Sequence, residues 1–353
     1  MVVVARVVVA LPEIFKWSVF KIIIVSIIMP VFNEENYIDK AIKSVLNQNF
    51  DNNNLEFIII DGNSEDKTVN LIKNYLKKYK FIKLLNNLKR TVQYGLNIGI
   101  KNSIGKYIVR IDAHAEYAQN YISKCIECLE KTRADNVGGP TIAGYLNGNR
   151  IQKVIAASYH SKFALGGGKF HKKNYEGYAD TVAWGTFKRK YLINIGMYDE
   201  NFAYNEDDEL NYRIIKNNGK IYINPEIRSI YYPRDSYLKL FKQYFNYGFW
   251  KILVMKKHKK PARISHIVPM LFVLYLVLGG ILSLFFKKIS LIFNIVIIIY
   301  LMLNISFSFK NEYLDKFSEK LKLIFVHFIL HFSYGIGSLA GILSKKIRKM
   351  FKF

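Results

Sequence analysis

Hydrophobic and polar residues follow two different patterns along this chain. Between about residues 21 and 235, short β-branched runs such as Phe57–Ile60 alternate with stretches of helical spacing. This alternation predicts an α/β domain with a mostly parallel sheet. From Ile264 onward the chain carries long apolar runs instead. We therefore predict an α/β domain followed by a helical transmembrane region.

Two of the strand-like runs end in an isolated aspartate, at Asp61 and at Asp112. Ligands of open α/β sheets bind beyond the carboxyl ends of the strands, so both carboxylates are expected to face a nucleotide. A third acidic group, Glu206–Glu209, opens a helix predicted over Glu206–Asn217. The three acidic positions together predict an enzyme that handles a nucleotide-activated substrate.

Two local signals add further helices. Asn33 follows a strand that Pro30 interrupts, and it is expected to cap a helix reaching about Asn47. Cys125 and Cys128 lie three residues apart in another predicted helix. A single CxxC pair is a weak zinc signal and cannot form a disulfide framework, so we interpret both residues as core thiols in a reducing cytoplasm.

The C-terminal third contains three apolar runs, at 264–286, 289–309 and 323–344. At about 1.5 Å per residue each could cross a hydrocarbon core of about 30 Å, which predicts two to three transmembrane helices. His327 and His331 in the last run could ligate a metal, although helix packing or lipid contact is favoured. Tyr334–Gly337 indicates close packing through small residues.

The distribution of charge supports the division into a catalytic domain and a membrane region. The chain has 52 Lys and Arg against 27 Asp and Glu, a formal charge of +25. Because basic clusters such as Lys256–Lys260 flank apolar runs, we expect membrane lipids as partners and no nucleic acid. The basic loop Lys251–Arg263 predicts a cytoplasmic catalytic domain at the cell membrane. We expect a poorly ordered or non-native leader at 1–20, a catalytic domain at 21–255 and a membrane region at 256–353.

Several ordered motifs carry a more specific signal. The chain resembles the family 2 glycosyltransferases of the GT-A nucleotide-sugar fold, and in particular the membrane-attached enzymes of exopolysaccharide and succinoglycan biosynthesis. The segments that carry the resemblance, across about residues 21 to 255, are Ser26–Glu35, Asp61–Thr68, Arg110–His114, Asp180–Phe187, Glu206–Leu210 and Gln243–Trp250.

The resemblance implies a role for each group of residues. Asp207 would be the general base of an inverting transfer, and Asp112 with His114 would bind a divalent ion, Mn²⁺ or Mg²⁺. The family usually has an aspartate where His114 stands. Donor-binding residues would be Pro30, Phe32, Asn33, Glu34, Asp61 and Asp112. The acceptor or diphosphate region would comprise Trp184, Gly185, Glu206, Arg234, Gln243, Tyr247 and Trp250.

Some of these residues have a structural alternative. Asp61 could simply form the turn before Gly62, and Trp184 could be a buried core residue. The implied activity is sugar transfer from a nucleotide-diphosphate donor, a UDP-sugar, to a lipid-linked glycan. The alternatives are a subunit of a processive polysaccharide synthase and a catalytically silent nucleotide-binding scaffold. A dehydrogenase is disfavoured, since no G-x-G-x-x-G follows the first strand.

Overall fold

The computed structural model describes residues 23–165, 168–259 and 264–344. The leader predicted at 1–20 lies outside these residues. The strands are β1 (Val25–Val31), β2 (Leu55–Asp61), β3 (Ile82–Asn86), β4 (Tyr107–Arg110), β5 (Ala115–Tyr117), β6 (Asn136–Gly138), β7 (Thr141–Ala143), β8 (Gly177–Tyr178), β9 (Thr186–Lys188), β10 (Ile221–Ile223) and β11 (Ser229–Tyr231).

Helices cover the sheet and form the C-terminal region. They are α1 (Ile38–Leu46), α2 (Thr68–Leu76), α3 (Val92–Lys101), α4 (Tyr121–Thr132), α5 (Arg150–Tyr159), α6 (Lys162–Leu165), α7 (Arg189–Asn194), α8 (Glu206–Lys216), α9 (Tyr237–His258), α10 (Val268–Leu274), α11 (Gly280–Ser283), α12 (Lys287–Phe309) and α13 (Phe317–Leu343).

The predicted mostly parallel sheet is confirmed. Among the described residues the main sheet has the order β3-β2-β1-β4-β9-β6-β10-β8. Strands β3, β2, β1 and β4 run parallel, whereas β9 is antiparallel to both of its neighbours. A small second sheet has the order β5-β11-β7. The carboxyl ends of β1, β2 and β4 therefore meet at one edge, where Asp61 and Asp112 follow their strands.

Alternate residues of β1 enter different cores, which accounts for its continuous apolar sequence. Ile27 packs in the cluster that includes Ile42 of α1 and Cys125 of α4. Ile28 faces the opposite side and packs with residues such as Leu96 of α3 and Ile214 of α8. Both faces of the central strands are thus covered by helices, as expected for a parallel sheet.

The cap predicted at Asn33 is wrong. Helix α1 begins at Ile38, and Asn33 has a left-handed φ of 55°. The side chain of Asn33 accepts a hydrogen bond from the Glu65 backbone at 2.8 Å, and its own N–H donates to Ser64 Oγ at 2.9 Å. Asn33 therefore joins the turn after β1 to the turn after β2, because these tertiary partners compete successfully with the helix end.

The apolar C-terminal runs differ in length. Helices α12 and α13 are long and apolar enough to cross a membrane, which by length and composition alone is weak support. The first predicted run forms α10, a π-helical turn and α11 over Val268–Ser283. At 1.5 Å per residue this segment is about 24 Å long, which is short of a hydrocarbon core. The number of spans and the division at 255 stay predictions.

Close backbone contacts join α9 to α13. A Cβ atom added to Gly248 would lie 2.0 Å from the Tyr334 carbonyl oxygen, and one added to Gly337 would lie 2.0 Å from the Phe245 carbonyl oxygen. The hydroxyl of Ser338 also donates to the Gly248 carbonyl at 3.4 Å. Packing through small residues was expected around Gly337, and the structure identifies α9 as the partner helix.

Replacing Gly337 with alanine should therefore separate these two helices. Gly337→Ala forces a methyl group against the Phe245 carbonyl, and overpacking of this kind costs about 1–3 kcal/mol. The expected result is a lower melting temperature of the detergent-solubilised protein, measured by differential scanning fluorimetry. Gly280→Ala is the matched control, because its added Cβ would lie 3.8 Å from Phe293 Cζ. Equal melting temperatures for the two variants would contradict this account.

Candidate active site

A cavity of about 1000 Å³ lies beyond the carboxyl edge of the main sheet. Its walls come from the turns after β1 and β4, from the start of α8, from α9 and from the C-terminal helices. The residues predicted as functional that line it are Pro30, Phe32, Glu34, Asp112, His114, Trp184, Glu206, Asp207, Arg234, Gln243 and Tyr247. The structure thus brings two of the three predicted acidic positions, Asp112 and Asp207, to one cavity.

Asp61 is not a cavity-lining residue, but it lies directly behind the cavity wall. Ile60 and Gly62 on either side of it line the cavity. The Asp61 carboxylate accepts a hydrogen bond from Ser64 Oγ at 2.6 Å and another from the Ser64 backbone at 3.1 Å. The turn-forming alternative therefore describes its present contacts, while the position at the end of β2 agrees with the prediction.

Three other predicted residues are set back from the cavity walls. Asn33 bridges the two turns, as described above. An added Cβ at Gly185 would lie 2.1 Å from Asn136 Oδ1, so close packing requires a glycine there. Trp250 is buried in a separate cluster, where its ring centroid lies 6.2 Å from that of Phe202. Trp250 is not among the cavity-lining residues because it is buried among apolar side chains.

Asp112 is held by an indole. Trp184 Nε1 donates a hydrogen bond to Asp112 Oδ2 at 2.5 Å, and the Asp112 backbone N–H donates to the Tyr117 hydroxyl at 2.7 Å. Trp184 is almost fully buried, yet it also lines the cavity. The two interpretations of Trp184 are thus compatible, and fixing the orientation of Asp112 is a role that the sequence did not indicate.

His114 is paired with a carboxylate. Its Nδ1 lies 2.9 Å from Glu34 Oε1. Burial lowers the pKa of His114, but the charge and hydrogen bond of Glu34, together with the charge of Asp112, outweigh this and raise the pKa above its ordinary value. A carboxylate on Nδ1 also fixes the ring so that Nε2 is the nitrogen available to a ligand.

Asp112 and His114 fit a divalent ion that a substrate helps to hold. Within the described residues, no group of three or more His, Cys, Asp or Glu side chains could hold a metal by itself. A carboxylate and an imidazole suit Mn²⁺ or Mg²⁺, which commonly complete their coordination with water and substrate phosphates. Glu34 would then act behind the imidazole, as carboxylate partners of metal-bound histidines do.

The first turn of α8 brings four acidic residues together, and each has a different surrounding. Glu206 accepts a hydrogen bond from Arg110 Nη2 at 2.7 Å, and the same nitrogen lies 3.9 Å from Asp112 Oδ1. Arg110 is thus a buried cation between the acidic first turn of α8 and the predicted metal position. Arg110 belongs to the motif Arg110–His114, but no local sequence pattern indicates this role.

Asp207 and Asp208 are adjacent but titrate differently. Burial and the charges of Glu206 and Asp208 raise the pKa of Asp207 to about 7. Burial also raises the pKa of Asp208, but the ion pair with Lys251 of α9 outweighs burial and lowers the pKa of that carboxyl. Asp207 is therefore the carboxylate with proton affinity suited to accepting a proton near neutral pH.

The buried Glu209 anchors α8 to α9. Its carboxylate lies 2.5 Å from Lys257 Nζ and 3.3 Å from His258 Nε2 on α9, and Arg213 of α8 donates to it at 2.9 Å. Burial raises the pKa of Glu209, but these three partners outweigh it and lower the pKa to about 2. The contacts of Lys257 and His258 with Glu209, together with the ion pair between Lys251 and Asp208, hold α8 against α9.

The remaining predicted residues form a polar wall beside α9. The Gln243 side-chain amide donates to the Tyr247 hydroxyl at 3.0 Å and to the Tyr231 hydroxyl at 3.3 Å. Arg234 lines the cavity, and no carboxylate in the described part of the chain lies within 4.0 Å of its guanidinium. A cation without a partner on a cavity wall is suited to an anionic ligand.

The histidines of α13 make packing contacts. His327 Nδ1 lies 2.8 Å from Asn304 Oδ1 of α12. His331 Nε2 donates to the Phe163 carbonyl at 2.8 Å, and the Tyr300 hydroxyl donates to His331 Nδ1 at 3.1 Å. The described residues offer no metal cluster here, so helix packing is the interpretation that the contacts favour.

Known proteins match this chain over its α/β domain and beyond. The family model for glycosyl transferase family 2 matches residues 26–195. A Methanococcus voltae protein, the dolichyl N-acetyl-alpha-D-glucosaminyl phosphate 3-beta-D-2,3-diacetamido-2,3-dideoxy-beta-D-glucuronosyltransferase, is 34% identical over 238 residues, covering 66% of this chain and 74% of that protein. The succinoglycan biosynthesis protein ExoA of Rhizobium meliloti is 29% identical, covering 69% and 74% respectively.

A solved structure agrees at the level of the fold. The mannosyltransferase PcManGT from Pyrobaculum calidifontis, solved with GDP-Man and Mn²⁺, superposes with a TM-score of 0.56 at 13% identity, covering 91% of this chain and 87% of that one. The chain therefore has the GT-A fold. The chain belongs to the family 2 glycosyltransferases, as the sequence motifs indicated.

Removing the charge of Glu209 tests the anchoring of α8. A carboxyl whose folded pKa lies below its unfolded value stabilises the fold above the unfolded pKa, and this stabilisation is lost as the pH falls towards the folded value of about 2. Wild-type protein should lose melting temperature steeply between about pH 5 and pH 2. Glu209→Gln should melt lower at pH 7 and show a flatter dependence in that window. Glu127→Gln, on the exposed surface of α4, is the control, and parallel curves for both variants would contradict the anchor.

Proposed function

We propose that this enzyme is an inverting glycosyltransferase that moves a sugar from a nucleotide-diphosphate donor, a UDP-sugar, to a lipid-linked glycan at the cytoplasmic face of the membrane. The observation that carries the proposal is the shared cavity of Asp112 and Asp207, which continues as far as His331 on α13. The relatives add support, since the name of one includes a dolichyl-linked sugar phosphate and that of another succinoglycan biosynthesis.

The donor lies at the sheet edge in this proposal. Pro30, Phe32 and Glu34 form one wall there, and the strand end at Asp61 lies directly behind it. Asp61 keeps acceptor capacity beyond its bonds to Ser64 and would accept a hydrogen bond from the uracil imide after a small movement of the turn. Asp112 and His114 would hold Mn²⁺ or Mg²⁺, which when bound neutralises charge on the departing diphosphate.

Asp207 is the general base in this mechanism. It accepts the proton of the acceptor hydroxyl while that oxygen forms a bond to the anomeric carbon of the donor sugar. The bond from that carbon to the diphosphate oxygen breaks, and the nucleoside diphosphate leaves from the opposite face with the electron pair. Asp208 cannot share this role, because Lys251 holds it as an ion pair. Arg110 keeps Asp207 from becoming too basic, since its charge lowers the pKa.

The C-terminal helices attach the catalytic domain to the membrane. We assign residues 21–255 to catalysis and 256–353 to the membrane region, with α12 and α13 as spans. The basic residues at the end of α9 support a cytoplasmic position of the catalytic domain, because basic residues beside membrane spans are enriched on that side. Anionic lipid is the expected neighbour of that basic segment.

An activity screen tests the proposal as a whole. Purified protein in lipid nanodiscs is incubated with Mn²⁺, a lipid extract and each member of a panel of radiolabelled UDP-sugars and GDP-sugars. We expect one UDP-sugar to label the lipid fraction. Labelling from a GDP-sugar alone would overturn the donor assignment, and the absence of both labelling and donor hydrolysis would overturn the function.

The base assignment has a kinetic signature. Wild-type kcat should rise with pH through about 7, because Asp207 acts only when deprotonated. Asp207→Asn should lower kcat about a thousand-fold, the scale of general base catalysis, with donor affinity within a factor of two. Asp315→Asn, at an exposed position, is the matched control and should behave as wild type. Equal losses in kcat and in donor affinity would refute the base role.

The metal assignment predicts a different defect. Asp112→Asn removes the charged oxygen ligand but keeps the shape that Trp184 contacts. Mn²⁺ binding in the presence of UDP, followed by electron paramagnetic resonance, should weaken at least ten-fold, and turnover should fall with it. Unchanged Mn²⁺ binding in a variant that has lost turnover would assign Asp112 to another role.

A further inference from the structure

The cavity extends well beyond the carboxylates that the proposed reaction uses. Part of its wall is formed by a cluster of apolar and aromatic side chains. The residues that line this part, which we call the apolar compartment, are Phe163, Phe272, Tyr300, Phe307 and Leu330. Nucleotide and sugar groups need polar partners, so this compartment is suited to a different part of a substrate.

Phe163 is the central residue of the apolar compartment. Its ring stacks on Phe307 of α12 with centroids 5.4 Å apart and planes at 14°, and it lies 5.6 Å from Tyr300. The hydrogen bond from His331 to the Phe163 carbonyl fixes the backbone of α6 there. An aromatic side chain of the catalytic domain is therefore seated between α12 and α13.

Two of the helices that form the compartment, α12 and α13, have the composition of membrane spans. Only 6% of the most apolar window of α12 is buried within the protein, against 50% for α13. Helix α12 consequently exposes long apolar side chains such as Leu291 and Ile298 on its outer surface. A hydrocarbon chain that leaves the compartment along α12 would thus pass from protein into lipid without crossing a charged surface.

Positive charge lies where the polar and apolar parts of the cavity meet. Arg234 and Lys162 line the cavity, and within the described residues neither has a carboxylate within 4.0 Å. Lys251 is different, because Asp208 already neutralises it. Two cations that form no ion pair within the described residues, beside an apolar compartment, match the chemistry of a phosphate attached to a hydrocarbon chain.

We propose that the apolar compartment binds the first isoprenoid units of the lipid carrier, with the carrier phosphate between Arg234 and Lys162. This inference rests on the proposed function and adds to it the part of the acceptor that the protein recognises. Phe163, Phe272 and Phe307 bury the chain, so the enzyme distinguishes long-chain acceptors from truncated ones. The glycan at the other end of the phosphate then reaches Asp207.

Chain-length selectivity tests this inference directly. The nanodisc-embedded enzyme is assayed with a long-chain polyprenyl-linked glycan and with a water-soluble analogue whose prenyl chain is truncated. Phe163→Ala and Phe307→Ala should each lower kcat/KM about ten-fold for the long-chain acceptor, the upper range for losing one aromatic contact. The truncated analogue should change less than two-fold. Ile299→Ala, at an exposed position of α12 outside the cavity walls, is the matched control and should leave both values unchanged.

Different results would contradict the lipid-binding compartment and the proposed glycosyltransferase function. An equal fall in kcat/KM for both acceptors, or no fall for either, would overturn the assignment of the apolar compartment to the lipid chain. The proposed transfer reaction would be unaffected by that result. No transfer to any lipid-linked acceptor would overturn the proposed function instead. Melting temperatures and donor hydrolysis without acceptor show that each variant is folded.

The phosphate position is tested separately. Lys162→Gln should raise KM for both acceptors and leave KM for the nucleotide sugar unchanged. A rise in the donor KM alone would assign this cation to the donor diphosphate and overturn the carrier-phosphate position.

Discussion

The contact between α9 and α8 is the constraint on which the active site depends. Helix α9 packs against α13 through Gly248, so close that the helix backbones touch. From that fixed position α9 reaches the acidic turn of α8 through Lys251 and Lys257. The placement of Asp207 is therefore set by the C-terminal helices as well as by the sheet, which explains why catalytic and apolar regions share a cavity.

The four acidic residues in the first turn of α8 have different partners. A carboxylate removed from water is costly unless it is paired, so the four acids of α8 need separate partners. Arg110 pairs with Glu206, Lys251 pairs with Asp208, and Lys257, Arg213 and His258 surround Glu209. Asp207 is left with like-charged neighbours, and its pKa rises accordingly. Among the described residues, Asp207 is thus the one acid of the four that forms no ion pair.

Sequence patterns predicted what is local and missed what is tertiary. Strand β2, helix α8 and the buried cysteines of α4 follow from periodicity and capping signals, and the structure agrees. Asn33 failed as a cap because its partners lie 31 and 32 residues away. Trp250 lies outside the cavity walls because packing on Phe202 decides its burial. The indole bond to Asp112 spans 72 residues and leaves no local signal.

In the proposed mechanism, one cavity holds the nucleotide donor and the lipid acceptor together. Electron cryomicroscopy of the enzyme in nanodiscs, with UDP, Mn²⁺ and a polyprenyl phosphate, tests it most directly. The account predicts continuous ligand density from Asp112, past Asp207, to the ring of Phe163. Lipid phosphate bound outside the cavity, or UDP remote from Asp112, would contradict it.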